Sequence, residues 1–146
     1  MQIFIINGLL VTSVVLIHYE VLRQLSLMMP NLPIRPRLRV LVGVFGTLCA
    51  HVVEIWIFGF AYYYLHHHDK FGSLVGNFTG SLMDSVYFSF ACYTTLGFGD
   101  IEPNGDIRFL AGLEGLVGLL LITWSASFMF IEMTRYWREP PREKRK

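Results

Sequence analysis

Charged residues are scarce in this chain. Only 16% of its 146 residues are Asp, Glu, Lys or Arg, whereas 53% are hydrophobic. So low a share of charge excludes an ordinary soluble domain, gives no sign of a nucleic-acid partner, and is typical of an integral membrane protein. The net charge of +1 says little, so the positions of the charges carry the information.

Cysteine and a targeting signal are also lacking. The two cysteines, Cys49 and Cys92, both fall in apolar segments, which favours buried thiols over a disulfide framework. No basic region precedes the apolar N-terminus, so we predict no cleavable signal peptide.

The usual sensors of a gated membrane protein are missing as well. A voltage-sensing helix carries Arg at every third position of an apolar span, whereas Arg35, Arg37 and Arg39 are spaced by two among prolines. Only residues 134–146 follow the last apolar segment. We therefore expect neither a voltage sensor nor a cytoplasmic ligand-binding domain.

What the chain has instead is three long apolar segments, residues 3–22, 41–65 and 109–133. Each is long enough to cross a bilayer, which takes about 20 helical residues. We predict an all-α integral membrane protein with three transmembrane helices.

Basic residues indicate how these helices are oriented. They concentrate in residues 23–40 and in the tail after residue 134, whereas only Lys70 and Arg108 lie between the second and third segments. The positive-inside rule therefore places the linker and the tail in the cytoplasm. The N-terminus is then expected outside, in a multi-pass protein of the cell membrane.

Residues 81–93 form a shorter apolar segment that cannot span a membrane. Ser81 precedes it, and Asp84 stands three residues later, where a side chain caps the start of a helix. A helix of this length is a candidate for re-entering the membrane partway.

The string Thr94-Thr95-Leu96-Gly97-Phe98-Gly99-Asp100 follows directly. To hold a dehydrated cation, backbone carbonyls must all point at one axis, and this requires left-handed backbone angles at alternate residues. Glycine adopts these angles without steric cost. Leu96 and Phe98 are then expected to point away from the axis and pack the loop from behind.

In this setting, residues 81–131 resemble the pore module of the pore-loop potassium channels, with a pore helix, a selectivity filter and an inner helix. The resemblance implies a four-fold tetramer with one filter per chain. It implies K+ binding at the filter residues Thr95, Leu96, Gly97, Phe98 and Gly99.

The resemblance also divides the chain. It implies an extra N-terminal transmembrane helix at 1–22, a cytoplasmic linker at 23–40, a pore domain at 41–133 and a cytoplasmic tail at 134–146. Within the pore domain it implies a pore helix at 81–93, a filter at 95–100 and an inner helix at 109–133.

Further residues gain roles from the same resemblance. Gly115 or Gly118 is expected as an inner-helix hinge, and Asp100 and Glu102 are expected to ring the outer mouth. Phe98 stands where the family more often has Tyr, so it cannot donate the hydroxyl hydrogen bond that braces the filter. Tyr87 is a weak candidate for supplying that brace instead.

Ionisable residues within apolar segments suggest function, because they are costly in a membrane. His51 and Glu54 lie three residues apart on one face of the second segment. Glu54 is expected to pair with a histidine or polar group on another helix, either to tune gating by protonation or simply to fix helix packing. Glu114 is expected to pair with Arg108 or to brace the pore loop.

The leading hypothesis is a homotetrameric channel that passes K+ through the lipid bilayer, with no catalysis and no cofactor. The alternatives are a non-selective cation channel and an accessory subunit of a larger channel. A membrane metalloenzyme using His51, Glu54 and residues 66–68 lacks suitable spacing, such as HExxH. The histidines at 66–68 fit an exposed outer loop better.

Overall fold

The computed structural model describes residues 2–68 and 70–137. The predicted tail at 134–146 therefore lies outside the described residues from 138 onward.

In the described part of the chain, three helices are long and apolar enough to cross a membrane. They are α1 (Gln2–Met28), α2 (Pro36–His66) and, after a short helix, α4 (Ile107–Trp137). At 1.5 Å per residue, each is about 40 Å or longer and exceeds the hydrocarbon thickness of a bilayer. The predicted all-α membrane protein with three long apolar helices is confirmed.

The linker expected at residues 23–40 is largely helical, which corrects its predicted boundaries. Arg23 does not end α1, because its guanidinium donates to Glu20 at 2.9 Å along the helix surface and its charge is thereby accommodated. After a single 3-10 turn at Met29–Asn31, α2 begins at Pro36. Proline suits the first turn of a helix, since its missing N–H would have no partner there.

The short helix α3 (Leu82–Tyr93) lies between α2 and α4. Its N-terminus is capped as predicted: the Ser81 side chain accepts a hydrogen bond from the Asp84 amide at 3.1 Å. The Asp84 carboxylate in turn accepts from the Thr79 hydroxyl and amide. These bonds lower the pKa of Asp84 below its ordinary 3.8, so the carboxylate stays charged at neutral pH.

A small sheet, which the sequence analysis did not predict, brackets α3. Strand β1 (Ser73–Gly76) precedes α3 and pairs antiparallel with β2 (Ile101–Asn104), which follows the loop after α3. The two strands clasp the base of the segment that carries α3 and residues 94–100.

Helix α2 occupies the centre and contacts α1, α3 and α4. Its side chains Phe58, Tyr62 and Leu65 are buried together with Val14 of α1 and Leu110 of α4. Many other apolar side chains of the long helices remain exposed, as expected of surfaces that face lipid or another copy of the chain.

Candidate functional site

The loop of residues 94–100 alternates between two backbone conformations. Thr95, Gly97 and Gly99 have φ angles of 57°, 55° and 78°, whereas the residues between them do not have positive φ. In a strand, successive carbonyls point to opposite sides, and reversing the hand at every second residue turns them toward one side. The left-handed angles expected of the two glycines are confirmed, and Thr95 extends the pattern by one residue.

Thr95 is held in a conformation that β-branched residues avoid. Among residues 2–68 and 70–137 it is the only non-glycine residue with positive φ, at a cost of about 1–2 kcal/mol. Its amide donates to the Cys92 carbonyl at 3.0 Å, and the Leu96 amide donates to the Ala91 carbonyl at 3.0 Å. The last carbonyls of α3 thus hold the first turn of the loop, and strain retained in this way suggests a functional constraint.

The far end of the loop is fastened at Asp100. The Asp100 carbonyl accepts from the Asn77 amide at 2.8 Å, just beyond the paired strands. Its carboxylate accepts from the Tyr87 hydroxyl at 2.9 Å, and the Tyr87 ring stacks on Phe98 with centroids 6.1 Å apart. Tyr87 therefore supplies a polar brace for a loop in which Phe98 cannot.

The brace does not depend on pH near neutrality. The hydrogen bond to Asp100 raises the pKa of the Tyr87 phenol above its ordinary 10.0, because it stabilises the protonated form. A raised pKa contributes stability that is complete below the ordinary value and is lost only as pH rises through the raised one. The contact between α3 and the loop is thus present throughout the neutral range.

Other predicted site residues are placed less completely. Asp100 and Glu102 lie at the same end of the loop, and Glu102 is exposed opposite Val75 on the sheet. Leu96 and Phe98 are 64% and 63% exposed in the single chain. Packing of both side chains behind the loop stays a prediction; within the chain, the Phe98 ring stacks on Tyr87.

Gly115 and Gly118 lie where α4 crosses the C-terminal end of α3. A Cβ atom at Gly118 would collide with the Tyr93 carbonyl oxygen, and one at Gly115 would lie 3.3 Å from the Cys92 carbonyl oxygen. Helix α4 continues through both positions. Close packing is therefore the structural reason for these glycines, and the hinge remains a prediction.

His51 and Glu54 belong to a buried polar network that joins all four helices. The Glu54 carboxylate lies 2.8 Å from Nδ1 of His18 on α1 and 3.3 Å from Nδ1 of His51. Tyr93, at the end of α3, donates to the same carboxylate. Ser125 of α4 lies 3.0 Å from His51 Nε2 and 3.2 Å from His18 Nε2.

This network confirms that Glu54 pairs with a histidine on another helix. The sequence analysis missed Tyr93 and Ser125, since only the meeting of α3 and α4 brings them to the pair. We define the cluster of His18, His51, Glu54, Tyr93 and Ser125 as the four-helix network.

A second buried carboxyl lies closer to the N-terminal end of α4. The Tyr62 hydroxyl donates to Glu114 at 2.6 Å, and the Ser89 hydroxyl contacts both Glu114 and the Ile55 carbonyl oxygen. Glu114 therefore joins α2, α3 and α4 through the side chains of Tyr62 and Ser89, and its expected bracing of the loop that follows α3 stays a prediction. Among the described ion pairs it has none with Arg108.

Replacing Glu114 by leucine is expected to lower the free energy of unfolding by about 1–3 kcal/mol, because it leaves the buried Tyr62 hydroxyl without an acceptor. Ser89 keeps the Ile55 carbonyl as its partner. Unfolding of the detergent-solubilised protein, followed by circular dichroism, measures the change. The double variant Glu114→Leu/Tyr62→Phe removes both partners and should be more stable than Glu114→Leu alone. Equal stability of the single variant and the parent would contradict the brace.

The three adjacent histidines make separate contacts. His66 Nδ1 accepts from the Leu74 amide at 3.1 Å, whereas His67 and His68 approach the carbonyl oxygens of Tyr63 and Tyr64. Within the described residues, these rings belong to no metal-ligating group, and the outer position of this loop stays a prediction.

Comparison with known proteins gives one match. Residues 50–135 match the family model described as ion channel, which represents pore-loop channels with two transmembrane segments. The matched range includes most of α2, all of α3, the 94–100 loop and nearly all of α4, whereas α1 lies outside it. No curated protein and no solved structure matches the chain.

Proposed function

This chain belongs to the ion channel family, and from that premise we propose that it is a potassium-selective channel in which four identical chains surround one pore. Residues 95–99 supply the ion-coordinating oxygens, and K+ passes down its gradient. The channel needs no cofactor and performs no catalysis.

The observation that carries this proposal is the alternating backbone of the loop. Positive φ at Thr95, Gly97 and Gly99 turns successive carbonyls toward one side, which is the requirement for replacing the water around a dehydrated K+ ion. A surface turn needs one or two such residues and gains nothing from three in alternation.

Exposed apolar side chains support assembly. Phe90, Leu96 and Phe98 are between 40% and 64% exposed in the single chain, and they surround a loop that should be rigid to select an ion. One loop can face only one side of an ion, so the proposed site is complete only with several copies. Asp100 and Glu102, repeated around the mouth, would concentrate cations there.

The proposed orientation has a structural counterpart. Lys70, in the outer loop, donates to the Gln2 side chain at 2.6 Å, so the start of α1 lies at the same end of the molecule as the 94–100 loop. Arg35, Arg37 and Arg39 lie at the opposite end, near the start of α2. The positive-inside rule then favours a cytoplasmic linker and an external loop and N-terminus.

A non-selective cation channel is the second candidate, because the family match specifies an ion channel and no particular ion. Phe98 argues against a non-selective channel, because an acidic residue at this position would be the more usual sign that K+ and Na+ are not discriminated. An accessory subunit is the third candidate and has less support, since the loop has the full alternating pattern.

With K+ on one side of a planar bilayer and Na+ on the other, the purified protein is expected to give a reversal potential close to the K+ equilibrium potential. Its mass in detergent, by light scattering, should equal four chains. Current that reverses near zero would favour the non-selective channel. A monomer that carries no current would overturn the channel proposal in favour of an accessory role.

A further inference from the structure

The four-helix network contains more close polar contacts than it has hydrogen atoms that could form hydrogen bonds in them. Six of its contacts join the two imidazoles, the carboxylate and the two hydroxyls. With neutral rings and an ionised carboxylate, each ring and each hydroxyl supplies one hydrogen, four in all. At one hydrogen per contact, two contacts then bring lone pairs together, in a region where His18 and Glu54 are fully buried.

The potential ligand atoms of this network lie close together. One ring nitrogen each of His18 and His51 and one Glu54 carboxylate oxygen all lie within 4.8 Å of one another, and the two Nδ1 atoms lie 2.8 Å and 3.3 Å from that carboxylate. When both rings carry their hydrogen on Nε2, the two Nδ1 atoms and the carboxylate are three neighbouring acceptors, which is the ligand set of a cation. Because each comes from a rigid helix, little ordering would be needed to bring them onto an ion.

We propose that His18, His51 and Glu54 form a binding site for a divalent d-block ion of the zinc class. Two imidazole nitrogens and one carboxylate suit such an ion, whereas Mg²⁺ and Ca²⁺ prefer oxygen ligands alone. Bonds of about 2.0–2.2 Å bring the ligand atoms of a tetrahedral site to about 3.3–3.5 Å from one another. The present distances from the carboxylate to the two Nδ1 atoms, 2.8 Å and 3.3 Å, are close to this range.

The contacts of both imidazoles with Ser125 support the same assignment. When Nδ1 of each ring binds a metal, the remaining hydrogen sits on Nε2, and both Nε2 atoms already lie 3.0–3.2 Å from the Ser125 hydroxyl oxygen. That oxygen has two lone pairs and accepts from both rings. Tyr93 keeps its hydrogen bond to Glu54, and the present contact between His51 Nδ1 and the Tyr93 hydroxyl would give way to the bond between Nδ1 and the metal. Orientation of ligating histidines by such acceptors is general in metal sites.

The site would fix the first helix to the channel domain. His18 belongs to α1, outside the family match, whereas the other members lie on α2, α3 and α4. Tyr93 directly precedes the strained loop, so metal occupancy would act on the segment from which the loop starts. The metal proposal concerns this network alone and does not depend on potassium selectivity.

Metal binding is measured on the full chain, purified with a tag that lacks histidine, stripped with a chelator and titrated with Co²⁺. We expect one Co²⁺ per chain, with the visible absorption of a tetrahedral site, displaced by Zn²⁺. His18→Asn and Glu54→Gln should lose this absorption, whereas the His67→Ala/His68→Ala control should keep it. Wild-type protein without the absorption, or Glu54→Gln with it unchanged, would overturn the proposal.

Ser125→Ala keeps all three ligands and tests the site even if the ligand variants fold poorly. Loss of the shared acceptor is expected to weaken Co²⁺ binding by roughly 10–100-fold. Unchanged affinity in this variant, with circular dichroism like that of the parent, would show that the ion binds elsewhere. A single shared proton on one ring is the competing occupant, and it predicts no stoichiometric metal in any variant.

Discussion

Replacing Gly97 by alanine is expected to abolish selective K+ current while leaving the protein folded and assembled. A Cβ atom at Gly97 meets nothing within 4 Å, so the substitution causes no steric clash within the chain. Its cost is conformational: φ of 55° is disfavoured for alanine by about 1–2 kcal/mol in each copy. In the proposed tetramer, relaxation to negative φ would turn a carbonyl away from the ion in each of the four chains, so a whole ring of oxygens would be lost. Bilayer recordings with K+ against Na+ measure the effect.

Gly80→Ala is the matched control for this experiment. Gly80 also has positive φ, at 83°, and open space around it, but it lies before α3 and outside the loop. It should show a similar conformational cost and unchanged selectivity. If both variants conduct like the parent, or if both lose current alike, the loop has no special role in conduction.

Gly118→Ala has the second largest expected effect. Its Cβ would collide with the Tyr93 backbone oxygen, and that oxygen cannot easily move because it belongs to the last turn of α3. Overpacking at such a contact costs about 1–3 kcal/mol in each chain, which exceeds the gain of about 1 kcal/mol from placing alanine in a helix. We expect a lower melting temperature in detergent and at least a tenfold loss of current, since α4 must move away from the helix that supports the loop.

On the same helix, Gly112 provides the comparison. A Cβ there has no neighbour within 4 Å, so Gly112→Ala should gain the helix-propensity term and retain its current. A Gly118→Ala protein as stable and as active as the Gly112→Ala protein would mean that the helix contact is not essential. If the Gly118→Ala protein kept its stability but changed the open times of the channel, the result would instead favour the predicted hinge.

The sequence was most informative where one local pattern decides the structure. Apolar runs predicted the three long helices, and the Ser81 cap predicted the start of α3. Boundaries were harder, since Arg23 looked like the beginning of a linker and instead pairs with Glu20 along α1. The pairing of β1 with β2 is a long-range contact that no local pattern reveals.

The candidate site also combines features that a local pattern predicts with features that depend on long-range packing. The positive φ of Gly97 and Gly99 follows from residue type, whereas that of Thr95 is imposed by hydrogen bonds from the end of α3. From the sequence, Glu54 was recognisable as an acid within an apolar segment that requires a polar partner. Its meeting with His18 depends on the packing of α1, and Ser125 is 107 residues from His18 in sequence. Contacts of that kind are set by how helices pack, which the sequence pattern leaves open.

The paired strands β1 and β2 have a consequence for how this chain can vary. They close the segment that contains α3 and the 94–100 loop through main-chain hydrogen bonds, so the geometry of that segment depends little on the side chains of the residues between α2 and β1. Insertions between α2 and β1 should therefore be tolerated better than insertions between β1 and β2, which makes the connection after α2 a suitable place for a label.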